Sequence, residues 1–209
     1  MEEFYIVPTL IFFIFCSTHS LFASVSFKKW LFEYFPGFKP YYRLSYNLLA
    51  VLILAAWLIS LPPDTTIYWV EEFWFIALVL IQISALILAI ISLAGHGMTF
   101  FGVTQLNQYL SADKYPNYLD EPERGQFIKD GMYSYMRHPL YTFSMIVLIS
   151  SPIMTHNLLF VTVCVALYFW IGSIFEERNL VKRFGNDYKN YQKKVPRFIP
   201  WKFLFFKSR

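Results

Sequence analysis

Charge and cysteine are both scarce in this sequence. Only 15% of its residues are Asp, Glu, Lys or Arg, against about 25% in a typical soluble domain. The two cysteines, Cys16 and Cys164, both sit in apolar stretches. That excludes a disulfide-stapled scaffold and reads as two small core residues. No Cys/His cluster has zinc-ligand spacing, so no metal site is expected. There is no internal repeat and no low-complexity tract, and no nucleic-acid partner is expected. Charge is missing altogether from four stretches: Phe4 to Ala23, Leu44 to Leu61, Phe73 to Gly95, and Leu140 to Phe175.

These stretches hold most of the 56% of residues that are hydrophobic. A helix needs about 20 apolar residues to cross a hydrocarbon core of roughly 30 Å. The last stretch contains Pro152 and the polar group Thr155-His156-Asn157, which read as a turn between two shorter helices. The count is therefore five transmembrane helices in an all-α, multi-pass protein of the cell membrane. Buried helices of a soluble protein do not fit, because the stretches are too long and too little polar sequence remains to cover them. The first stretch follows Glu2 and Glu3 and no basic residue, which favours a retained helix over a cleaved signal.

The basic residues orient the chain. Five crossings put the N-terminus, the Pro62–Glu72 loop and the Thr155–Asn157 turn on one side; these hold Glu2, Glu3, Asp64, Glu71 and Glu72 and no Lys or Arg. The other side takes Lys28, Lys29, Lys39 and Arg43, then Lys114, Arg124, Lys129 and Arg137, then the ten basic residues from Arg178 to Arg209, which together are all 18. Cytoplasmic loops are enriched in Lys and Arg. The N-terminus is thus expected outside and the C-terminus in the cytoplasm.

Residues 1–97 read as a scaffold of three helices, and 98–209 as a cofactor-binding catalytic region. The long loop from Met98 to Arg137 is polar but keeps aromatics such as Tyr109, Tyr115, Tyr118, Phe127, Tyr133 and Tyr135, as an ordered, site-forming loop would. The helix from Leu140 to Met154 is short, about 22 Å, and is expected to tilt or pack inside the protein. Beyond Phe175 a helix leaves the membrane, with Lys182 and Arg183 near its end and Gly185 as its cap. Tyr188 and Tyr191 follow on one face, and Val195 to Trp201 runs extended. Trp201, Phe203, Phe205 and Phe206, with Lys202 and Lys207, suit the membrane surface.

Three features converge at the cytoplasmic ends of the last two helices. Arg137-His138-Pro139-Leu140-Tyr141 places a proline in a helix's first turn. That gathers exposed backbone N–H groups, the positive end of a helix dipole, an arginine and a histidine at one spot suited to an anion. Before it, Gly125-Gln126-Phe127-Ile128-Lys129-Asp130-Gly131-Met132-Tyr133 is rich in turns and can fold over a ligand. Glu176-Glu177 lies at the far end of the hairpin, and adjacent carboxylates near a membrane face are costly without a cationic partner. Each has a plainer reading: Arg137 as a headgroup anchor, the glutamates as a solvated helix exit, the tyrosines as interfacial packing. Together they fit a ligand with a carboxylate and a positive charge, such as S-adenosyl-L-methionine, whose sulfonium also suits aromatic walls.

On these residues the sequence resembles the isoprenylcysteine carboxyl methyltransferase superfamily. The matching positions are Gly131-Met132-Tyr133, Arg137 to Tyr141, Glu176-Glu177, Phe184-Gly185, Tyr188, Tyr191, Val195-Pro196 and Pro200. The N-terminal half is similar to the branch of methanethiol S-methyltransferases and NnrU-like proteins, on His19-Ser20, Phe27-Lys28-Lys29-Trp30 and Arg43-Leu44-Ser45-Tyr46. The resemblance implies that Gly125, Gln126, Phe127, Ile128, Tyr133, His138, Pro139, Leu140, Tyr141 and Glu176 line a cofactor pocket. Two positions depart from the pattern: Phe143 stands where a glycine is usual, and Gly172 where prenylcysteine enzymes carry an arginine for the substrate carboxylate. A small thiol needs no such arginine.

The expected activity is methyl transfer from S-adenosyl-L-methionine to a small thiol such as methanethiol. Glu176 or Glu177 serves in cofactor binding or proton removal, and Arg137 with His138 handles the carboxylate end. His19, in the first helix, is a candidate substrate residue or else a hydrogen-bonded packing contact. Other readings of the same residues are a prenylcysteine-like or lipid acceptor, an NAD(P)H-dependent membrane reductase, and a non-enzymatic NnrU-like component. The residues do not name an oligomeric state. A topology reporter fused after Arg209 should be active in the cytoplasm; activity outside the cell would refute the assigned orientation.

Overall fold

The computed structural model describes residues 5–93, 97–111 and 127–200. The loop residues 112–126, which include Gly125 and Gln126, and the aromatic segment from Trp201 onward lie outside that range. The chain divides into two compact units, Met1–Pro63 with Gly95–Gly125 and Asp64–Ala94 with Gln126–Arg209. This packing division differs from the functional one expected at residue 97, because the third long helix packs with the later part of the chain.

In the first unit α1 (Ile6–Ala23) runs into α2 (Val25–Tyr34) across a single residue. Ser24 ends one helix and starts the next by accepting the Phe27 N–H, at 3.2 Å. A short 3-10 turn over Pro36–Phe38 then leads to α3 (Tyr42–Ile59). Helices α1 and α3 pack together, and their polar groups pair: the Tyr42 hydroxyl donates to the Phe22 carbonyl at 2.6 Å, and Tyr46 meets His19 at 2.6 Å. The loop expected from Met98 starts instead with two helices, α5 (Gly97–Phe101) and α6 (Val103–Ser111). Gly102 turns the chain between them with φ at +89°, and a Cβ there would lie 2.7 Å from the Leu44 backbone nitrogen.

In the second unit β1 (Thr66–Trp69) pairs antiparallel with β2 (Ile153–Thr155). This ribbon is the one departure from an all-α chain among the described residues. It occupies the Pro62–Glu72 loop and the end of the short helix, two places expected to be irregular or helical. Between the strands in sequence come α4 (Glu72–Leu93) and α7 (Pro139–Ile149); α8 (His156–Phe184) and α9 (Asn186–Lys194) follow. Thr155 caps α8 by accepting the Leu158 N–H, and Asp64 accepts that of Asn157. Gly185, with φ at +56°, ends α8 as expected.

Four helices, α1, α3, α4 and α8, with 18, 18, 22 and 29 residues, are long and apolar enough to cross a membrane. Helix α7 has 11 residues, about 16 Å at 1.5 Å per residue, and stops at Ser150-Ser151-Pro152. It is shorter than expected and packs against α4, where Phe143 meets Ala89 and Met136. The small residues Ala85, Ala89 and Ser92 recur at helical spacing on the buried face of α4. Ala89 leaves room for the large side chain of Phe143. Large apolar side chains such as Leu10, Val51, Leu80 and Leu167 are exposed along the four long helices. Such a surface suits lipid and not water. Replacing Gly102 by Ala should lower unfolding stability by about 1–3 kcal/mol through backbone strain and overlap; an unchanged melting temperature in detergent would contradict that close approach.

Candidate active site

The fold brings the start of α7, the end of the apolar part of α8 and the extended segment after α9 to one place. Glu176 and Glu177 are neighbours on α8, about 100° apart around the helix axis. Glu177 follows Ser173 by four residues on the buried face, whereas Glu176 faces outward; their side chains are 4% and 49% exposed.

Glu177 is the centre of the cluster. Its Oε1 accepts from Arg137 Nε at 2.8 Å, His138 Nε2 at 3.1 Å and Arg197 Nε at 3.2 Å. Its Oε2 accepts from Arg137 Nη2 at 3.2 Å, Gln192 Nε2 at 2.9 Å and Arg197 Nη2 at 2.9 Å. Two bidentate guanidiniums are the strongest neutralising partners a carboxylate can have, so the group stays ionised although buried. Arg137 also donates through Nη1 to the carbonyls of Gln192 and Val195. Its donors are thus directed at the protein itself.

The segment after α9 is strapped onto the start of α7. The backbone N–H groups of Arg137 and His138 donate to the carbonyls of Pro196 and Arg197 at 2.9 and 3.0 Å, and the Thr142 hydroxyl reaches the Phe198 carbonyl at 3.2 Å. Two of the N–H groups expected to be available to an anion are therefore used by the strap. Beneath it Tyr188, Tyr191 and Val195 form a buried cluster with Phe127 and Phe184. The Tyr191 hydroxyl donates to the Tyr133 carbonyl at 2.6 Å, tying the Gly131–Ser134 turn to α9. Burial, and for Tyr188 the charge of Glu177 as well, pushes the phenols of Tyr188 and Tyr191 above their usual value, so both stay protonated.

Glu176 meets the open side. Its Oε2 accepts from the Tyr141 hydroxyl at 3.1 Å and lies 3.5 Å from His138 Nδ1. The rings of His138 and Tyr141 stack at 5.2 Å, and Tyr141 stacks on Phe169 at 4.3 Å with the planes 4° apart. Phe198 closes over His138 at 5.7 Å. A half-exposed carboxylate beside a column of aromatic faces is a favourable setting for a cation.

Of the residues singled out in the sequence, Arg137, His138, Tyr141, Glu176 and Glu177 come into direct contact. Pro139 opens α7, Leu140 packs against the α4–α7 cluster, Tyr133 sits in the turn before it, and Phe127 is part of the aromatic cluster. Ile128 is half-buried close by in sequence. His19 belongs to the first unit, where it pairs with Tyr46. Gly172 faces open space, with nothing within 4 Å of an added Cβ. Arg197, Gln192 and Phe169 were not singled out. The need of two adjacent carboxylates for cations was a sequence signal for Arg197; nothing in the sequence pointed to the other two.

Residues 38–195 match the family described as "Protein of unknown function (DUF1295)". The chain is also 32% identical to a methanethiol S-methyltransferase of Pseudomonas deceptionensis, over 93% of its own length and 72% of the relative's. It is 28% identical to Methanethiol S-methyltransferase 1 of Bradyrhizobium diazoefficiens, over 96% and 68%, and 26% identical to a methanethiol S-methyltransferase of Mycobacterium tuberculosis, over 90% and 75%. The chain belongs to the family of the methanethiol S-methyltransferases. No solved structure matches it. For this family member, replacing Glu177 by Gln should cost about 3–5 kcal/mol, since two guanidiniums lose their counter-charge. Replacing Glu176 by Gln should stay within about 0.5 kcal/mol. Thermal unfolding in detergent checks both, and equal losses would contradict the division between a buried, ion-paired glutamate and a half-exposed one.

Proposed function

We propose that the chain is an integral membrane methyltransferase that transfers a methyl group from S-adenosyl-L-methionine to a small thiol such as methanethiol. The observation that carries this is the half-exposed Glu176 beside the Tyr141–Phe169 stack, in a chain whose relatives are methanethiol S-methyltransferases. The donor set fits S-adenosyl-L-methionine: a carboxylate and π-faces for the sulfonium, and the first turn of α7 for the carboxylate end. Bound there, S-adenosyl-L-methionine supplies an electrophilic methyl group.

The residues contribute in two ways. Tyr141, Glu176 and the start of α7 at Pro139-Leu140 bind and orient, with Phe127, Ile128 and Tyr133 contributing from the preceding segment. Arg137 and Glu177 hold that arrangement rigid, which matters because displacement needs reacting atoms about 3–3.5 Å apart and aligned. The open space at Gly172 and the absence of an arginine there favour an acceptor without a carboxylate. In this reading the chain crosses five times, with the short α7 packed against α4 and α8, the N-terminus lies outside as the basic residues suggest, and the site opens to the cytoplasm of a cell whose plasma membrane holds the protein. The catalytic region in this reading is 98–209.

Purified protein should bind S-adenosylhomocysteine by calorimetry and transfer labelled methyl to methanethiol. Binding of NADPH alone would point to a reductase, and binding of neither to a non-enzymatic component; either result contradicts the proposal.

A further inference from the structure

We propose that α2 and the 3-10 turn after it form a membrane-surface face that takes acidic phospholipid, with Trp30 and Tyr34 at the acyl boundary and Lys28, Lys29 and Lys39 toward the phosphates. This face lies in the first unit and takes no part in the methyl-transfer reading.

Its position is set by the helices on either side. Helix α1 ends at Ala23 and α3 starts at Tyr42. Both are long and apolar enough to cross a membrane, and they pack together. The segment that joins them therefore sits where hydrocarbon gives way to water. Ser24 is extended, with ψ at 138°, so α2 breaks from α1 instead of prolonging it. Helix α5 is held at the same end of α3, where the Asn47 amide donates to the Phe100 carbonyl at 3.1 Å. Phe100 and Phe101 are left exposed there.

Successive side chains of α2 turn by about 100°, which sorts them into three stripes. Lys28 and Phe32 face α3: Phe32 is buried and meets the Tyr42 ring edge-on at 5.2 Å, and the Lys28 ammonium lies 6.0 Å from the centre of Tyr42. Phe27, Trp30 and Tyr34 make the second stripe. Their rings follow one another at 5.6 and 5.7 Å, and Phe27 meets Phe22 of α1 at 5.0 Å. The row thus continues the apolar surface of α1. Lys29 and Glu33 make the third stripe and are exposed.

More than half of Trp30, Tyr34 and Phe35 is exposed. A contiguous apolar face of this kind calls for a partner, and Trp and Tyr favour the boundary between acyl chains and headgroups. An amphipathic helix with such a row on one side and charge on another lies in that boundary. The charge of the lipid follows from the cations. From Ser24 to Arg43 the sequence holds Lys28, Lys29, Lys39 and Arg43 against Glu33 alone. The Lys39 ammonium stands 5.8 Å from the centre of Phe32, so two ammonium groups flank the Phe32–Tyr42 pair beside the aromatic row. Basic clusters next to a membrane helix attract acidic lipids.

The test uses the full chain in nanodiscs of one fixed mixture of phosphatidylcholine and phosphatidylglycerol, with brominated acyl chains on one lipid or on the other. The signal of Trp30 is the difference between the unaltered chain and Trp30→Phe. Both lipids should quench it, brominated phosphatidylglycerol about two- to fivefold more strongly. Replacing Lys28, Lys29 and Lys39 together by Gln should bring the two levels together while Trp30 stays quenched. Raising the salt should narrow the difference in the chain that keeps its lysines, a readout that needs no lysine variant. Equal quenching by the two lipids in the unaltered chain, or a preference that neither salt nor the lysine substitutions move, would overturn the proposal. So would a Trp30 that neither lipid quenches, as under a protein partner or in water.

Discussion

A single buried carboxylate organises the cluster at the end of the apolar part of α8. Glu177 is taken out of water at the point where α8 stops being apolar, and an isolated ion there would be untenable. Its cost is offset by drawing in two guanidiniums, an amide and an imidazole. Those donors come from three separate parts of the sequence: the residues before α7, helix α9 and the strap after it. The requirement to neutralise one charge thus decides where each of them lies.

Geometry follows from that requirement. With Arg137 clamped to Glu177, the carbonyls of Gln192 and Val195 are held by its remaining donors, and the strap registers on Arg137 and His138 through backbone hydrogen bonds. His138 is fixed by Glu177 on one edge and by Phe198 and Tyr141 on its faces. Glu176, one residue away and a quarter of a turn round the helix, is left as the carboxylate that faces outward. Two adjacent glutamates take opposite roles because a helix separates neighbours by about 100°.

Much of this was legible in the sequence. Uncharged runs marked the long helices, Gly185 marked the end of α8, and the cost of Glu176-Glu177 called for a cationic partner, although Arg137 was expected to hold a ligand's carboxylate and not Glu177. Helix phase was not legible, so the sequence did not tell the buried glutamate from the exposed one. Arg197 lay hidden in an extended segment 20 residues from Glu177, a contact made by tertiary packing and not by local pattern. The β1–β2 ribbon escaped because Ile153–Thr155 is short and continues an apolar run, where helix and strand periodicities cannot be told apart. Helices α5 and α6 are short, and the polar composition of α6 reads as loop although it carries an amphipathic pattern.

A buried ionic centre and a half-exposed carboxylate thus share one helix end. The most direct test is an experimental structure of the protein with S-adenosylhomocysteine bound. The account predicts the ligand against Tyr141, Glu176 and the first turn of α7, with Glu177 still held by Arg137, Arg197, Gln192 and His138. A ligand that displaces either arginine from Glu177, or that binds away from Glu176, would contradict it.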